Sequence, residues 1–499
     1  MSCSLSDYPK SPFKFDKEVR EILKAELQKV LHDDQFLTEI EAQEKLNSLL
    51  EWFCRAPKNT FFRINTLITD ADTVTNYIKK NCHPTPSVSI YPDFPELITV
   101  SNPWNSTKYG IIMHSVEVIV DATCGAAVMR GAHVFAPGVV GIPHGTKPGD
   151  FVSVFADASK KCKKGSTTFN GEKVYLGNGI IKMTREYLFG NITKYPSGIA
   201  VKMTELLSGV PILSDTCLPK GFGLLQNVPS IVCIKVLDPQ PGETVLDMCA
   251  APGNKTTHIA ALMKNQGRII ALEKIKSKIE KLQNNCKDFS VKNVEIFCID
   301  STKAVAEDLS SVKINPLCPP FPEETFDRIL LDGPCSGLGQ RPQIFNSISP
   351  AELRSYVPLQ RKLFSTAVRL LKPSGILVYS TCTITLAENE NMVAWALKTH
   401  SCLELQSVPD RIESLGLQDA EVKYSVGFPV EDLQSELAKK DFFTWARFSV
   451  QTNMQKLLKH SWINIYIFSS WYVEICIHIF IRIIYLGMKS IVISMLLFP

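Results

Sequence analysis

The chain has 499 residues, of which 45 % are apolar and 21 % charged, with a formal charge of +4. That balance excludes a disordered or collagen-like chain and leaves room for two or three globular domains. A charge so small names no partner, and contact with nucleic acid has to come from local clusters.

Residues 1–110 read as a small α/β module. Over 17–55, Val19, Ile22, Leu23, Leu27, Val30 and Leu31 recur at helical spacing, followed by a strand at Thr60–Leu67 and a short helix at Ala71–Lys80. From 111 to 203 the texture changes to short β-rich runs, Val116–Val120, Gly138–Gly141, Phe151–Phe155 and Val174–Ile181, broken by Gly, Pro and Lys turns. A compact β-barrel-like module is expected there.

Residues 204–448 form the third unit, and from about 240 strands alternate with helices. Strands are expected at Thr244–Met248, Arg268–Leu272, Val294–Ile299, Arg328–Leu331 and Ile376–Ser380; helices at Thr256–Met263, Lys276–Asn284, Ala351–Leu371 and Glu388–Lys398. This alternation predicts a doubly wound, largely parallel α/β sheet that binds ligands at the carboxyl ends of its strands. The remaining stretch, 449–499, differs in composition. Its segment 461–486 is long and apolar enough for a membrane helix but carries Glu474, His478 and Arg482 on one helical face. It reads as an alternative or readthrough terminus, with a membrane anchor as the competing reading.

Fifteen cysteines are scattered from Cys3 to Cys476. An odd total without a signal peptide argues for a reducing, cytoplasmic setting and against a disulfide scaffold. No Cys-x-x-Cys pair occurs, so no metal site is expected.

The most informative segment is the loop Asp247-Met248-Cys249-Ala250-Ala251-Pro252-Gly253-Asn254-Lys255-Thr256, between a strand and a helix. It has neither the dinucleotide fingerprint nor the P-loop spacing. Acidic residues close the first three strands: Asp247, Glu273 and Asp300. An acid after the second strand suits a ribose diol, and one after the third suits an adenine amine. The loop residues Cys249, Ala250, Ala251, Pro252, Gly253, Asn254 and Lys255, with Asp247, Glu273, Asp300 and Asp332, are therefore expected to bind a nucleoside cofactor lacking a pyrophosphate, S-adenosyl-L-methionine.

Asp247–Thr256, Leu331–Gly337 and Ser380–Cys382 together resemble the Sun-domain RNA cytosine-5 methyltransferases. Gly223–Ser230 resembles the segment before that family's first core strand, and Phe62-Arg63-Ile64-Asn65-Thr66 its N-terminal element. The β-rich module, with Met129-Arg130-Gly131-Ala132-His133-Val134 and Pro137-Gly138, looks like a PUA domain. The resemblance implies a Rossmann-like methyltransferase domain and, for the PUA-containing group, action on the acceptor end of transfer RNA near CCA. Two departures stand out. Asn254 replaces a usual second glycine, although asparagine tolerates a left-handed backbone. Asp441-Phe442-Phe443-Thr444-Trp445-Ala446-Arg447-Phe448 replaces the usual last strand, which puts completion of the sheet in question.

Cytosine C5 is a poor nucleophile until a thiolate adds at C6, and the C5 proton must later leave to a base. The resemblance assigns these roles to Cys382 and Cys335. Asp332 is placed to meet the N3 and exocyclic amine edge of the base, and Lys255 to support the site electrostatically. The Thr-Cys setting of Cys382 argues for RNA over DNA, whose enzymes usually use a Pro-Cys nucleophile. Arg130, Lys160, Lys161, Lys163, Lys164 and Lys194 are the candidate RNA contacts. A monomer is expected. The competing functional readings are a catalytically impaired RNA-binding isoform and a membrane-tethered variant.

Overall fold

The computed structural model describes residues 8–406 except 15, 29–30, 33–34, 58, 83–84, 93, 102–110, 191–194, 214–216 and 308–317, together with the strands 446–450, 463–469, 483–486 and 490–493. Its centre is a sheet whose strands alternate faces. We label the elements of this region β1 (Thr244–Asp247), α1 (Asn254–Leu262), β2 (Arg268–Glu273), α2 (Lys276–Asp288), β3 (Val294–Cys298), β4 (Phe326–Asp332), α3 (Pro350–Leu370), β5 (Leu371–Thr381), α4 (Glu390–Thr399), β6 (Leu403–Gln406) and β7 (Ala446–Val450).

The strands lie in the order β3-β2-β1-β4-β5-β7-β6. The first five are parallel, with Leu246 opposite Ile270 and Ile329, and Leu330 opposite Val378. Side chains of one strand point alternately to opposite faces, and the core divides accordingly. Leu246, Ile270, Ile329, Leu331 and Leu377 pack beneath α3 and α4. Val245, Ile269, Leu330 and Val378 pack beneath α1 and the helix Val228–Leu237. With both faces covered, the strands read as continuous apolar runs. The order reverses between β1 and β4, so the loops after these two strands part at a topological switch point.

β7 is antiparallel to β5, with Leu377 opposite Phe448, and to β6, with Leu405 opposite Phe448. The unusual segment thus supplies a strand at Ala446–Val450, while Asp441–Trp445 lie outside the described residues. In the terminal stretch, Ile463–Ser469 is a strand parallel to β6, and Ile483–Leu486 pairs with Ser490–Ile493. Its alternating isoleucines and aromatics suit a strand. Among the described residues no helix is long and apolar enough to cross a membrane. Glu474, His478 and Arg482 lie outside them.

The N-terminal region corrects the reading of 17–55 as one helical stretch. Two helices, Lys17–Leu27 and Glu39–Cys54, are separated by the short paired strands Leu31–His32 and Gln35–Phe36. A new helix starts at 39 because Thr38 and Glu41 form a capping box, each satisfying the other's backbone amide. The strand Thr60–Ile64 pairs on one side with Phe94–Ser101 and on the other with Gly223–Leu225. One sheet therefore takes strands from both sides of the β-rich module, and Gly223–Leu225 belongs to it by hydrogen bonding.

In that module six strands run from Glu117–Val120 to Ile199–Leu206, with Val134–Phe135 and Val139–Gly141 at opposite ends of the pairing order. Only the turn Ala136–Gly138 separates these two end strands. A sheet whose edges are joined so closely has to curl back on itself, the barrel-like form expected from the sequence. Two helices, Ala122–Met129 and Arg185–Phe189, accompany it.

Candidate active site

The register Leu331 opposite Tyr379 and Asp332 opposite Ser380 sets the ends of β4 and β5 side by side. The residues just beyond them must then meet. Cys335 Sγ and Cys382 Sγ are 3.0 Å apart, and the Cys382 amide donates to Cys335 Sγ at 3.2 Å. The two thiols are held oppositely. The Cys335 hydrogen bond draws Cys382 below the usual thiol range against burial and the Asp332 charge, with help from Gln340 and Lys255. The contact with Cys382, reinforced by burial, pushes Cys335 well above it. The hydrogen bond between the sulfurs therefore makes Cys382 the more readily ionised of the two thiols.

Beside the sulfurs, Lys255 Nζ meets Asp332 Oδ2 at 2.6 Å, and Ser380 Oγ donates to Asp332 Oδ1 at 2.6 Å. Burial alone would lower the Lys255 pKa; the Asp332 charge more than offsets this and holds it raised. Each carboxylate oxygen keeps a lone pair for a further donor.

Two residues unanticipated in the sequence fix the sulfur loops. Glu388 is 1 % exposed, and its carboxylate accepts from the Ser336 amide at 3.0 Å, Gln360 Nε2 at 2.9 Å and Thr385 Oγ1 at 2.9 Å. A buried carboxylate is tolerated when several donors satisfy it, and here they tie the Cys335 loop to the loop after Cys382. The sequence marks Glu388 only as the start of a helix, and nothing there shows that it reaches across to Ser336; the helix itself begins at Glu390, after the N-cap Asn389. Gln340 Nε2 lies 3.2 Å from Cys382 Sγ.

The loop after β1 is built from buried polar contacts. Asp247 is 1 % exposed; its Oδ2 accepts from Thr256 Oγ1 at 2.7 Å, and burial pushes its carboxyl up to about 7. Its Oδ1 is buried and finds no hydrogen-bond partner among the described residues. Gly253 has φ +102°, and a Cβ there would stand 2.7 Å from Leu282 Cδ1 on α2. Its glycine is therefore required by the turn and by packing between loop and helix. Asn254 is the first residue of α1 and is absent from the left-handed residues, so its replacement of a glycine needs no backbone tolerance. Pro252 O accepts from Asn285 Nδ2 at 2.7 Å. Cys249 is half-buried, Ala250 is buried and packs with Leu282 and Cys286, and Ala251 is half-buried beside them.

Glu273, at the end of β2, is buried and accepts the Ile275 amide on Oε1 at 2.7 Å. Asp300, after β3, pairs with Lys274 Nζ at 2.8 Å and accepts from Thr302 Oγ1 at 2.8 Å. Arg63, fully buried, reaches this region from the N-terminal sheet. Its guanidinium donates to Thr257 Oγ1 at 2.6 Å and to Asn254 O at 3.2 Å, and its Nε donates to Gln226 Oε1 at 2.7 Å. The sequence marked Arg63 only as part of a motif. Its full burial against α1 arises from the tertiary structure.

Of the candidate RNA contacts, Lys160, Lys161, Lys163 and Lys164 are exposed on the turn after Phe151–Asp157. Lys160 Nζ stands 6.0 Å from the Phe345 ring, and Arg130 Nη1 lies 3.5 Å from Arg341 O, so both abut the segment that follows Cys335. Lys194 lies outside the described residues. No metal-binding cluster occurs among them.

Known proteins share these features. Residues 234–434 match the 16S rRNA methyltransferase RsmB/F family, and residues 116–181 match the PUA domain. The chain is 46 % identical over 385 residues to tRNA (cytosine(72)-C(5))-methyltransferase NSUN6 of Homo sapiens, covering 76 % of this chain and 81 % of that protein. It is 29 % identical over 368 residues to tRNA (cytosine(72)-C(5))-methyltransferase of Pyrococcus horikoshii, covering 73 % and 85 %. The crystal structure of NSun6 from Pyrococcus horikoshii with SFG superposes with a TM-score of 0.63 at 25 % identity, over 89 % of this chain and 100 % of that one. On this similarity, added to the doubly wound sheet and its two strand-end cysteines, the chain belongs to the RsmB/F family of S-adenosylmethionine-dependent RNA cytosine-C5 methyltransferases and carries a PUA domain ahead of its catalytic sheet.

Proposed function

We propose that this protein methylates C5 of a cytosine in the acceptor stem of transfer RNA, near the CCA end, through a covalent adduct with Cys382. The observation that carries the mechanism is the pair of sulfurs 3.0 Å apart with opposite protonation preferences. The relatives named for cytosine(72) of transfer RNA support the substrate.

The cofactor fits the residues present. Asp247 Oδ1 is a buried acceptor whose donor is missing among the described residues, and Glu273 uses only Oε1 on its own turn. Glu273 would take the ribose hydroxyls and Asp300 the adenine amine, with Cys249–Asn254 lining the cofactor. Asp300 is also committed to Lys274 and Thr302, so it would bind with lone pairs left over. S-adenosylmethionine supplies an electrophilic methyl group when bound.

For the RNA, a cytosine leaves its stack to reach the pocket. Cys382 Sγ forms a bond to C6, and the C5–C6 π pair moves to C5, which becomes nucleophilic enough to accept the methyl group. Asp332 meets the N3 and exocyclic amine edge, with Lys255 and Ser380 keeping its carboxylate in place. Adduct formation turns the Cys382 thiolate into a neutral thioether. That removes the main influence holding the proton on Cys335, which then passes to solvent water and leaves Cys335 as a thiolate. Cys335 takes the C5 proton, the C5–C6 double bond re-forms, and Cys382 leaves as a thiolate.

The PUA domain would hold the RNA end, with Arg130, Lys160, Lys161, Lys163, Lys164 and Lys194 meeting phosphates. The strand Ala446–Val450 beside β5 supports an intact catalytic sheet over an impaired isoform. We read the protein as a cytoplasmic monomer. Methylation of transfer RNA transcripts with and without CCA, read by bisulfite sequencing at subsaturating RNA, tests the acceptor-end assignment. A sharp drop without CCA is expected, and equal methylation would remove it.

A further inference from the structure

Beyond the cysteines, Asp332 and Lys255, a neutral side chain also touches a reacting atom. Gln340 Nε2 stands 3.2 Å from Cys382 Sγ. A thiolate has no proton to give, so only the N–H side of an amide satisfies it, and this orientation is the one adopted. The turn bearing Gln340 is bonded to the nucleophile's own backbone: Gly339 N donates to Cys382 O at 2.9 Å, and Gln340 N to Gly337 O at 3.1 Å. Gln343 Nε2 donates to Gln340 O at 2.6 Å, closing the turn.

The same segment is gripped from two other directions. From the N-terminal helices, Phe53 O accepts the Gln343 amide at 2.7 Å, and the Arg341 guanidinium lies 4.2 Å from the Trp52 ring centroid. From the PUA domain, Arg130 reaches Arg341 O, and Ile344 is 1 % exposed as a member of the PUA core itself. The fit there is close: a Cβ added to Gly125 would come 2.7 Å from Ile344 Cδ1. A residue of the catalytic region thus completes the PUA core only a few positions from the amide that meets the nucleophile.

We propose that Gln340 is a further catalytic residue, holding Cys382 as the thiolate, and that the PUA domain keeps it in place by gripping Ile344. This rests on Cys382 being the nucleophile. Binding the PUA domain and charging the sulfur are then parts of one construction. The charged and titratable groups around Cys382 are Cys335 and Lys255, which favour its thiolate, and Asp332, which opposes it; Glu388 acts through the Cys335 loop. Removing the Gln340 amide leaves all four in place.

The test is the pH dependence of alkylation of Cys382 by iodoacetamide in the full-length protein without RNA, read by peptide mass spectrometry. Gln340→Ala should move the midpoint up by about one pH unit, through loss of a hydrogen bond to a charged sulfur. Gln340→Glu should move it further, because a carboxylate repels the thiolate. Ile344→Ala should move it in the same direction by less, with circular dichroism and RNA affinity retained. An unmoved midpoint in folded Gln340→Ala, or a smaller displacement in Gln340→Glu, overturns the role of Gln340. An unmoved midpoint in Ile344→Ala alone overturns the grip by the PUA domain. The acidic limb of single-turnover methylation should follow the alkylation midpoint. If Cys382→Ser still methylates RNA, the nucleophile assignment fails, whereas the alkylation result stands on its own.

Discussion

The catalytic pocket and the lysine turn of the PUA domain both gather charged groups, but they hold them differently. In the pocket each charged group has a fixed partner: Lys255 on Asp332, Glu388 under three donors, Cys382 between Cys335 and Gln340. On the turn, Lys160, Lys161, Lys163 and Lys164 are exposed, and only Lys160 stands near a described ring, 6.0 Å from that of Phe345. Chemistry at one atom needs groups held in place before the substrate arrives, because reorganisation during reaction is costly. Attraction to a polyanion needs only charge density, and flexible lysines supply it. Substitutions in the pocket should therefore have large, specific effects, and those on the turn small, additive ones.

The largest effect is expected at the proposed nucleophile. Cys382→Ala should lower methylation by at least about 10⁴-fold and form no adduct. Cys335→Ala should instead trap a protein–RNA adduct on a denaturing gel, since release needs its base. Trapping in Cys382→Ala and none in Cys335→Ala would exchange the roles and break the pocket half of the comparison.

Next comes Glu273→Ala, which removes a charged acceptor worth about 1.5–3 kcal/mol per hydrogen bond and should weaken S-adenosylmethionine binding roughly 10- to 100-fold in calorimetry. RNA affinity should stay within about twofold if the two regions are independent.

A smaller effect is predicted from Asp247, whose carboxyl burial raises to about 7. A raised folded-state value means that its stabilising contribution is full below the ordinary value of 3.8 and is lost as pH rises through about 7. Asp247→Asn, which can still accept from Thr256, should therefore gain thermal stability relative to the parent as pH rises from 4 to 8. A constant difference in Tm across that range would show that the buried carboxyl does not titrate there.

The smallest effects belong to the turn. Each single Lys→Ala among Lys160, Lys161, Lys163 and Lys164 should weaken RNA binding only severalfold and reduce the salt slope by about 0.7–0.9. A single lysine whose loss abolished binding, or left methylation rate reduced at saturating RNA, would mean that the turn is a positioned site after all.

Much of this was legible in the sequence because the signals are local. The apolar runs ending in Asp247, Glu273 and Asp332 announce strands buried on both faces, and ligands gather where such strands end. The two cysteines stand just beyond their strands, Cys335 three residues after Asp332 and Cys382 two after its register partner Ser380, and the parallel register brings the two loops together. The break between the two N-terminal helices was less visible: the apolar spacing continues through it, and only the Thr38-x-x-Glu41 pattern marks the restart.

By itself the sequence determined the alternation of strands and helices, the residue types at the strand ends and the turn chemistry, all properties of short stretches whose period and side chains act within a few residues. Only the tertiary structure decided that Gly223–Leu225 completes a sheet begun at Thr60, that Ile344 enters the PUA core, that Arg63 is buried against α1, and that Gln340 and Glu388 reach the sulfur loops. These contacts join residues far apart along the chain, and which partner satisfies a buried donor or carboxylate depends on what packing brings within 3 Å or so of it. The opposite charge preferences of Cys335 and Cys382 follow from the same cause, since identical thiols differ only in the neighbours that the fold assigns them.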